Sequence, residues 1–209
     1  LLEAMFVADV KADRGCGLVD PHGDLCDILL DYVPSHRIND VAYLDPADLE
    51  YPFHLNPLEV RNTAYRELVS SGIVSIFYKL YHLSWGPRLE YILRNTILTL
   101  TNVPNSTLLQ VPELLTNETY RAKVVEKMND QVLKNFWVNE FAKMSPQMKS
   151  EAVSPILNKV GQFLSSQTIR NIVGSSVSTV DLEDMMNQGK IVLVNLSQGK
   201  LGEDSSALL

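Results

Sequence analysis

Two different hydrophobic periods divide the chain. Short apolar runs bounded by turn residues predict strands at residues 16–20, 41–44 and 190–196. The last run, KIVLVNL, is continuously apolar, as expected of a strand buried on both faces. Helical patterns at 1–12 and 25–32 alternate with the first two strands. Alternation of helix and strand with brief turns predicts an α/β fold in which helices cover a parallel sheet.

The centre of the chain, from about residue 64 to about 170, shows almost no strand signal. Its apolar residues recur at helical spacing in four stripes, which predict buried helix faces rather than a cofactor site. We therefore expect a large all-α insertion, with segments 1–63, 64–170 and 171–209 as the divisions of the chain. The stripes are Val69, Ile73, Ile76, Phe77 and Leu80; Leu89, Ile92, Leu93, Ile97 and Leu100; Val132, Phe136, Trp137 and Phe141; and Ile156, Val160, Phe163 and Leu164.

Two details of these helices can be predicted from single residues. Leu1, Met5 and Ala8 lie on one face of the first helix, and Arg14-Gly15 are expected to end that helix. Pro155 follows Ser154, which suits the first turn of a helix, because proline lacks the N–H that helix interiors need. A longer helix that contains Pro155 is the alternative.

Composition narrows the class of protein. Of the 209 residues, 45% are hydrophobic and 21% are charged, which is ordinary for a folded globular domain. The net charge of −7 argues against a domain that coats nucleic acid over its whole surface. The two cysteines, Cys16 and Cys26, are too few for a disulfide framework, and we expect both to be reduced thiols of the core.

Neither a signal peptide nor an apolar run of membrane-spanning length is visible in the sequence. We therefore expect a cytoplasmic location, or the cytoplasmic face of a membrane if a longer parent protein carries an anchor. The first residues already have a helical pattern, and residues 205–209 resemble the start of another helix. We accordingly expect the chain to be a fragment, incomplete at both ends.

The densest group of polar residues follows the first predicted strand. The run GLVDPHGDL (17–25) places Asp20, His22 and Asp24 in a tight turn ahead of a helix. Ligands of open α/β sheets bind at the carboxyl ends of strands, where acids can orient a water, accept a proton or face a metal. The alternative is structural: Asp24 caps the helix and Asp20 caps the turn. Spacing alone leaves both open.

An Asp-x-His-Gly sequence after a strand also begins the metal site of calcineurin-like phosphoesterases. That site needs further ligands downstream, typically Gly-Asp and Gly-Asn-His groupings. The chain contains no Asn-His pair, and His36, His54 and His82 lie in unrelated contexts. We therefore predict no metal-ligating residues of that kind.

Six sequence segments together resemble one known group of proteins. They are similar to the HerA-like helicases and to the DNA-binding ATPase domain of type IV secretion coupling proteins, both of the HerA/FtsK type. The segments occur in the order that the family shows and cover nearly the whole chain. They are GLVDPHGDL (17–25), VAYLDPAD (41–48), LNPLE (55–59), WGPRLEYILRN (85–95), SPILNKVGQFLSS (154–166) and GKIVLVNLSQGKLGED (189–204).

This resemblance implies a P-loop ATPase with a RecA-like core that assembles into a ring, usually a hexamer, and moves DNA. Its cofactors would be ATP and Mg²⁺, and conjugation or secretion machinery could be a further partner. The chain contains no G-x-x-x-x-G-K-[ST] loop and no later apolar strand ending in Asp-Glu. We therefore expect the fragment alone neither to bind ATP tightly nor to hydrolyse it.

The resemblance also implies residue roles. Asp20, His22 and Asp24 correspond to an acidic turn near the γ-phosphate, not to the Walker B acid. We expect Asp24 to help place the attacking water or the magnesium shell, with Asp20 and His22 supporting the turn. Asn195 and Ser197, at the carboxyl end of the last strand, are predicted to join Asp20 and Asp24 in binding the cofactor.

Arg88 is predicted to act across a subunit interface. It follows the stiff turn Trp85-Gly86-Pro87, and ring ATPases commonly place an arginine of one subunit on the γ-phosphate of the next. Arg94 and Arg170 are rival candidates. The structural alternative is a surface arginine paired with Glu90 or a neighbouring acid.

Two functions remain open after these observations. The first is an ATP-driven DNA translocase or helicase-like motor, of which this chain is a part. The second is a non-catalytic interaction module that keeps the fold. DNA as a partner rests on the resemblance alone, because no basic stripe with interleaved aromatic residues is visible.

Overall fold

The chain forms two compact units. The structure is a computed structural model and describes residues 1–197 and 199. One unit comprises Leu1–His54 and the segment from Ser178 onward, and the other comprises Leu55–Val177. The predicted helix start at 205–209 lies outside the described residues. The division into segments 1–63, 64–170 and 171–209 stays a prediction.

The first unit is built on a three-stranded parallel sheet with the order β1-β3-β2. Strand β3, the most distant in sequence, lies between the other two and pairs with both in parallel. The predicted parallel sheet is therefore confirmed for these strands, whereas a RecA-like core is a finer assignment that three strands alone do not establish. The strands are β1 (Cys16–Asp20), β2 (Val41–Leu44) and β3 (Ile191–Asn195).

Among the described residues, three α-helices accompany this sheet: α1 (Leu2–Lys11), α2 (Asp24–Leu30) and α10 (Leu182–Asn187). Phe6 and Val10 of α1 are buried in one cluster with Cys26 and Leu29 of α2 and with Ile191 and Leu193 of β3. The predicted helix is present, and Leu1, Met5 and Ala8, which share one face in the sequence pattern, are exposed. Spacing identified a helix, but the packing of α1 on β3 decides which face is covered.

Both cysteines are free thiols, as expected from the sequence. Cys26 is fully buried, and burial, followed by the charges of nearby aspartates, raises the pKa of its thiol to about 11. Burial likewise raises the pKa of Cys16, which is half-buried. These thiols are therefore protonated and unreactive at neutral pH.

The amino-terminal edge of the sheet is held together by one buried arginine. Arg37 is 5% exposed and donates through its two terminal nitrogens to the carbonyl oxygens of Arg14 and Gly189, each at 2.8 Å. Gly189 has φ +66°, and a Cβ at Gly15 would lie 2.7 Å from the Cα of Gly189. Glycine is required here because the chains entering β1 and β3 approach so closely.

The second unit, Leu55–Val177, contains no strand among its described residues. The predicted helical insertion is confirmed as a helical region. Between α7 and α8 the chain forms a π-helix at Phe136–Phe141. The α-helices are α3 (Arg66–Tyr81), α4 (Pro87–Leu100), α5 (Gln110–Thr116), α6 (Glu118–Glu126), α7 (Gln131–Asn135), α8 (Pro146–Ser165) and α9 (Gln167–Val173).

Most of the predicted stripes form the core of this unit. All five residues of the second stripe, from Leu89 to Leu100, are buried on α4. Ile76 and Val132 are exceptions, being 46% and 78% exposed. In the third stripe Leu133, rather than Val132, is the buried residue of α7, and Phe136, Trp137 and Phe141 are buried in the π-helix that follows.

Pro155 lies inside α8 rather than at a helix start. The helix begins instead at Pro146, where Ser145 caps it by accepting a hydrogen bond from the backbone N–H of Met148. The expected start at Pro155 is therefore wrong, and the alternative of a longer helix is correct. Within the described residues, no helix combines the length and the apolarity needed to cross a membrane.

Candidate functional site at the carboxyl end of the sheet

The candidate site is the edge where β1 and β3 end. Asp20 and Asn195 are the last residues of these strands and stand opposite each other in the register. The backbone N–H of Leu196 donates to the carbonyl of Asp20 at 2.8 Å, which continues the pairing past the strands. The parallel arrangement thus brings together two polar residues that are 175 positions apart in the sequence.

Asp20 fixes the turn that follows β1. Its side chain is 6% exposed, and its carboxylate accepts hydrogen bonds from the backbone N–H groups of His22, Leu25 and Cys26 at 3.0, 2.9 and 3.3 Å. The last two N–H groups belong to the first turn of α2 and have no partner inside the helix. Asp20 is therefore the acid that caps both the turn and the helix.

These contacts set the charge of Asp20. Burial acts to raise the pKa of its carboxyl group, but the backbone N–H groups of His22, Gly23, Cys26 and Leu25 together outweigh burial and lower it below 3.8. Asp20 is therefore ionised at neutral pH. Because its two oxygens already accept backbone N–H groups, Asp20 is poorly placed to bind a metal ion directly.

We expect Asp20→Ala to destabilise the first unit by about 2–4 kcal/mol, since it leaves buried N–H groups without an acceptor. A group with a lowered pKa in the folded state contributes stability that is fully present above its unfolded pKa. In the unsubstituted protein the stabilisation by Asp20 should decline as the pH falls below about 3.8, the pKa of the unfolded state, and then through the lower pKa of the folded state. Chemical denaturation between pH 2.5 and 7 would measure it.

The matched control is Asp31→Asn, which alters an exposed acid at the other end of α2. It should change stability by less than about 0.5 kcal/mol. Asp20→Asn should remove the pH dependence assigned to Asp20. If Asp20→Asn lost as much stability at low pH as the unsubstituted protein, other carboxylates would be the cause of that loss.

Gly23 makes the close contact between the turn and β3. It has φ +89°, and a Cβ at this position would lie 2.5 Å from Oδ1 of Asn195 and 3.0 Å from the Cβ of Ser197. Only glycine combines this left-handed conformation with that approach. The contact explains why a glycine stands between His22 and Asp24.

Asp24 is the first residue of α2, and its side chain is exposed. The N-cap position is Gly23, where no side chain caps the helix, so the structural alternative in which Asp24 is the cap is wrong. In the described part of the chain Asp24 has no hydrogen bond or ion pair. Its negative charge at a helix N-terminus is favourable. Asp24 is thus the acid of this turn whose oxygens can meet a ligand, while the side chain of His22 is exposed beside it.

A hydrogen-bonded chain of side chains supports the site from β2, and sequence analysis did not predict it. Asn195 is 1% exposed and donates to the hydroxyl of Tyr43 at 2.7 Å, which donates in turn to Asp27 at 2.7 Å. Oδ1 of Asn195 accepts from the backbone N–H of Ser197 at 3.1 Å. Burial is the largest cause that raises the pKa of Tyr43, to about 12, so the phenol stays protonated. Tyr43 and Asp27 belong to no local sequence motif, and only their contact in the folded structure identifies them as part of the site.

The predicted site residues therefore fall into two groups. Asp20, His22, Asp24, Asn195 and Ser197 belong to one edge of the first unit. Arg88 belongs to the helical unit, where it is exposed in the first turn of α4.

The structure does not show the pairing of Arg88 with Glu90 that was the structural alternative. Glu90 accepts instead from Arg94 at 3.0 Å and from the indole of Trp85 at 3.0 Å. Arg170 donates to the carbonyls of Leu164 and Ser165. Of these three arginines, Arg88 alone has no partner among the described residues.

The chemistry of this edge is that of hydrogen bonding and one accessible carboxylate. Within residues 1–197 and 199, no group of three or more His, Cys, Asp or Glu residues could hold a metal ion. No protein-family model matches the chain, and no curated protein matches it.

Proposed function

We propose that this chain is part of an ATP-driven DNA motor of the HerA/FtsK type, working as a ring of identical subunits. The observation that supports it best is the parallel β1-β3-β2 sheet, whose carboxyl edge carries a rigid acidic turn with one acid exposed. Sites of α/β proteins lie at such edges. The resemblance of six segments in family order adds ATP, Mg²⁺ and DNA to the proposal.

In this proposal the residues of the turn divide the work. Asp20 and Gly23 hold the backbone in place, so that Asp24 projects from a fixed helix start. Asn195, locked by Tyr43 and by the N–H of Ser197, keeps β3 in register with the turn. Bound ATP and Mg²⁺ would supply the phosphoryl chemistry, and Asp24 would orient a water or accept its proton.

We expect Asp24→Asn in the complete protein to lower ATP turnover by about 100-fold, the loss typical of a misplaced proton acceptor. ATP affinity and melting temperature should change little, because Asp24 makes no described contact. Steady-state ATPase assays with and without DNA, together with nucleotide titration, would measure these effects. Asp31→Asn, at the exposed end of the same helix, is the matched control.

Two results would contradict the proposal. If Asp24→Asn melts several degrees lower yet keeps its specific activity, Asp24 serves only the helix. If the complete original protein hydrolyses no ATP, the motor itself is excluded and the chain is an interaction module.

Arg88 is proposed to reach the nucleotide of the neighbouring subunit. Arg88→Ala and Asp24→Asn proteins should each be nearly inactive alone, but mixed rings should regain turnover. Rescue is expected because an Arg88→Ala subunit still supplies Asp24 and an Asp24→Asn subunit still supplies Arg88. No rescue in mixed rings of verified assembly would exclude action across the interface.

A further inference from the structure

One cavity of the helical unit is lined mainly by polar groups. Its volume is about 240 Å³, and it lies between the turn that follows α4, the segment around Asn56 and the start of α3. The turn includes Asn105 at φ +60°, a left-handed conformation that asparagine tolerates. Residues that matter for its chemistry are Asn56, Glu59, Arg66, Thr101, Asn102 and Asn105.

The start of α3 carries buried polar atoms without partners. Within the described residues, Nε of Arg66 and Oγ of Ser70 are the buried side-chain nitrogen and oxygen atoms that have no hydrogen-bond partner. They are four positions apart, so they lie on one face of the helix. A buried donor that lacks an acceptor costs about 1–3 kcal/mol, and an unmet charged group costs more. Arg66 lines the cavity, so the acceptor it needs is expected there.

Most other polar groups around the cavity are already used within the protein. The amide of Asn56 donates to the carbonyls of Ser106 and Ser176, at 2.9 and 3.1 Å. Asn102 and Thr101 both donate to the carbonyl of Leu98.

Glu59, the acid of the lining, is also partnered. Arg66 is therefore the charged group left to meet a ligand. Asn105 is exposed at the cavity and could add an amide donor.

The backbone around Arg66 favours the same kind of ligand. Arg66 is the first residue of the 16-residue helix α3, whose N-cap residue Tyr65 makes no side-chain cap. The backbone N–H of Arg66 is already used, since it donates to the carbonyl of Thr63 in the 3-10 turn Thr63–Tyr65, but the partial positive charge of the helix N-terminus remains. A planar guanidinium beside it matches the paired oxygens of a carboxylate or a phosphate. We propose that this cavity binds an oxyanion, the phosphate or carboxylate group of a small molecule, through Arg66.

The test uses the purified protein and two probes, inorganic phosphate and acetate, at ionic strength held constant with sodium chloride. Amide chemical shifts, followed by NMR, should change saturably at 66–70 and 101–106. Arg66→Gln should weaken binding by at least about tenfold, the loss expected of one charge-assisted contact. Lys79→Gln, which removes one exposed positive charge from the same helix, should leave binding unchanged.

The two probes separate the sources of the oxyanion. If only phosphate saturates the shift changes, the ligand is a phosphate group. If only acetate does, the ligand is a carboxylate. If both do, the site binds oxyanions with broad specificity. The absence of saturation by either probe at 50 mM would show that only water meets Arg66, and would overturn the proposal. So would equal affinity in Arg66→Gln. If Arg66→Gln does not fold, the chemical-shift changes of the unsubstituted protein test the proposal by themselves. Changes confined to regions other than 66–70 and 101–106 would then refute the site.

Discussion

Trp137→Ala should destabilise the helical unit by about 3–5 kcal/mol, the range for removing a large aromatic side chain from a packed core. Trp137 is 2% exposed and contacts Phe136 and Phe141 edge to face, with ring centroids 4.8 and 5.0 Å away. Its indole N–H donates to Oγ1 of Thr99 on α4 at 2.7 Å. The substitution would leave a cavity and would remove the donor to Oγ1 of Thr99, which would keep only its own hydrogen bond to the carbonyl of Asn95. Urea unfolding, followed by circular dichroism, would measure the loss.

Two further variants separate these contributions. Trp137→Phe keeps much of the volume but removes the hydrogen bond to Thr99, so it should cost less, about 1–2 kcal/mol. Val138→Ala changes the next residue, which is 53% exposed, and should cost less than about 0.5 kcal/mol. Equal losses for Trp137→Ala and Val138→Ala would contradict the packing of the π-helix described above.

Arg37→Ala is expected to have a comparable effect on the first unit, about 3–5 kcal/mol, as for other buried charged groups that lose their partners. The guanidinium ties the carbonyls of Arg14 and Gly189 together, and it also approaches Asp40 at 3.3 Å. Its removal would leave these two carbonyls, at the close approach of Gly15 and Gly189, without the side-chain donor that binds both. Thermal and urea unfolding of the variant would test this.

The matched control for Arg37 is Arg14→Ala. The side chain of Arg14 is 63% exposed and pairs with Asp9 on the surface, so its loss should cost less than about 1 kcal/mol. The backbone carbonyl that Arg37 binds is unaffected by this change. Arg37→Lys should retain only part of the stability, because an ammonium cannot reproduce the planar fork. Full stability of Arg37→Ala would show that water replaces the guanidinium at no cost.

The sequence alone identified the three strands and the helical nature of the centre. Strands at residues 16–20 and 41–44 coincide with those of the structure, and the third differs by one residue at each end. Hydrophobic period is a local property, so an apolar run such as IVLVN specifies a buried strand wherever it lies. The stripe from Leu89 to Leu100 likewise specified a buried helix face before any partner was known.

The position of a cap could not be predicted in the same way. Asp20 and Asp24 are both acids near a helix start, and sequence spacing left open whether Asp24 is the cap. The left-handed turn at Gly23 directs the N–H groups of Leu25 and Cys26 to Asp20 instead. That turn depends on the contact of Gly23 with Asn195, which comes from a strand far along the chain.

Only the tertiary structure decided which residues meet across long sequence distances. The link from Asn195 through Tyr43 to Asp27 and the binding of Gly189 by Arg37 both join the two ends of the first unit. Sequence pattern records whether a position is apolar or polar, and it thereby determines local structure and the need for burial. The partner of a buried polar group depends on the order of strands in the sheet, here β1-β3-β2, because that order sets which strand ends lie side by side.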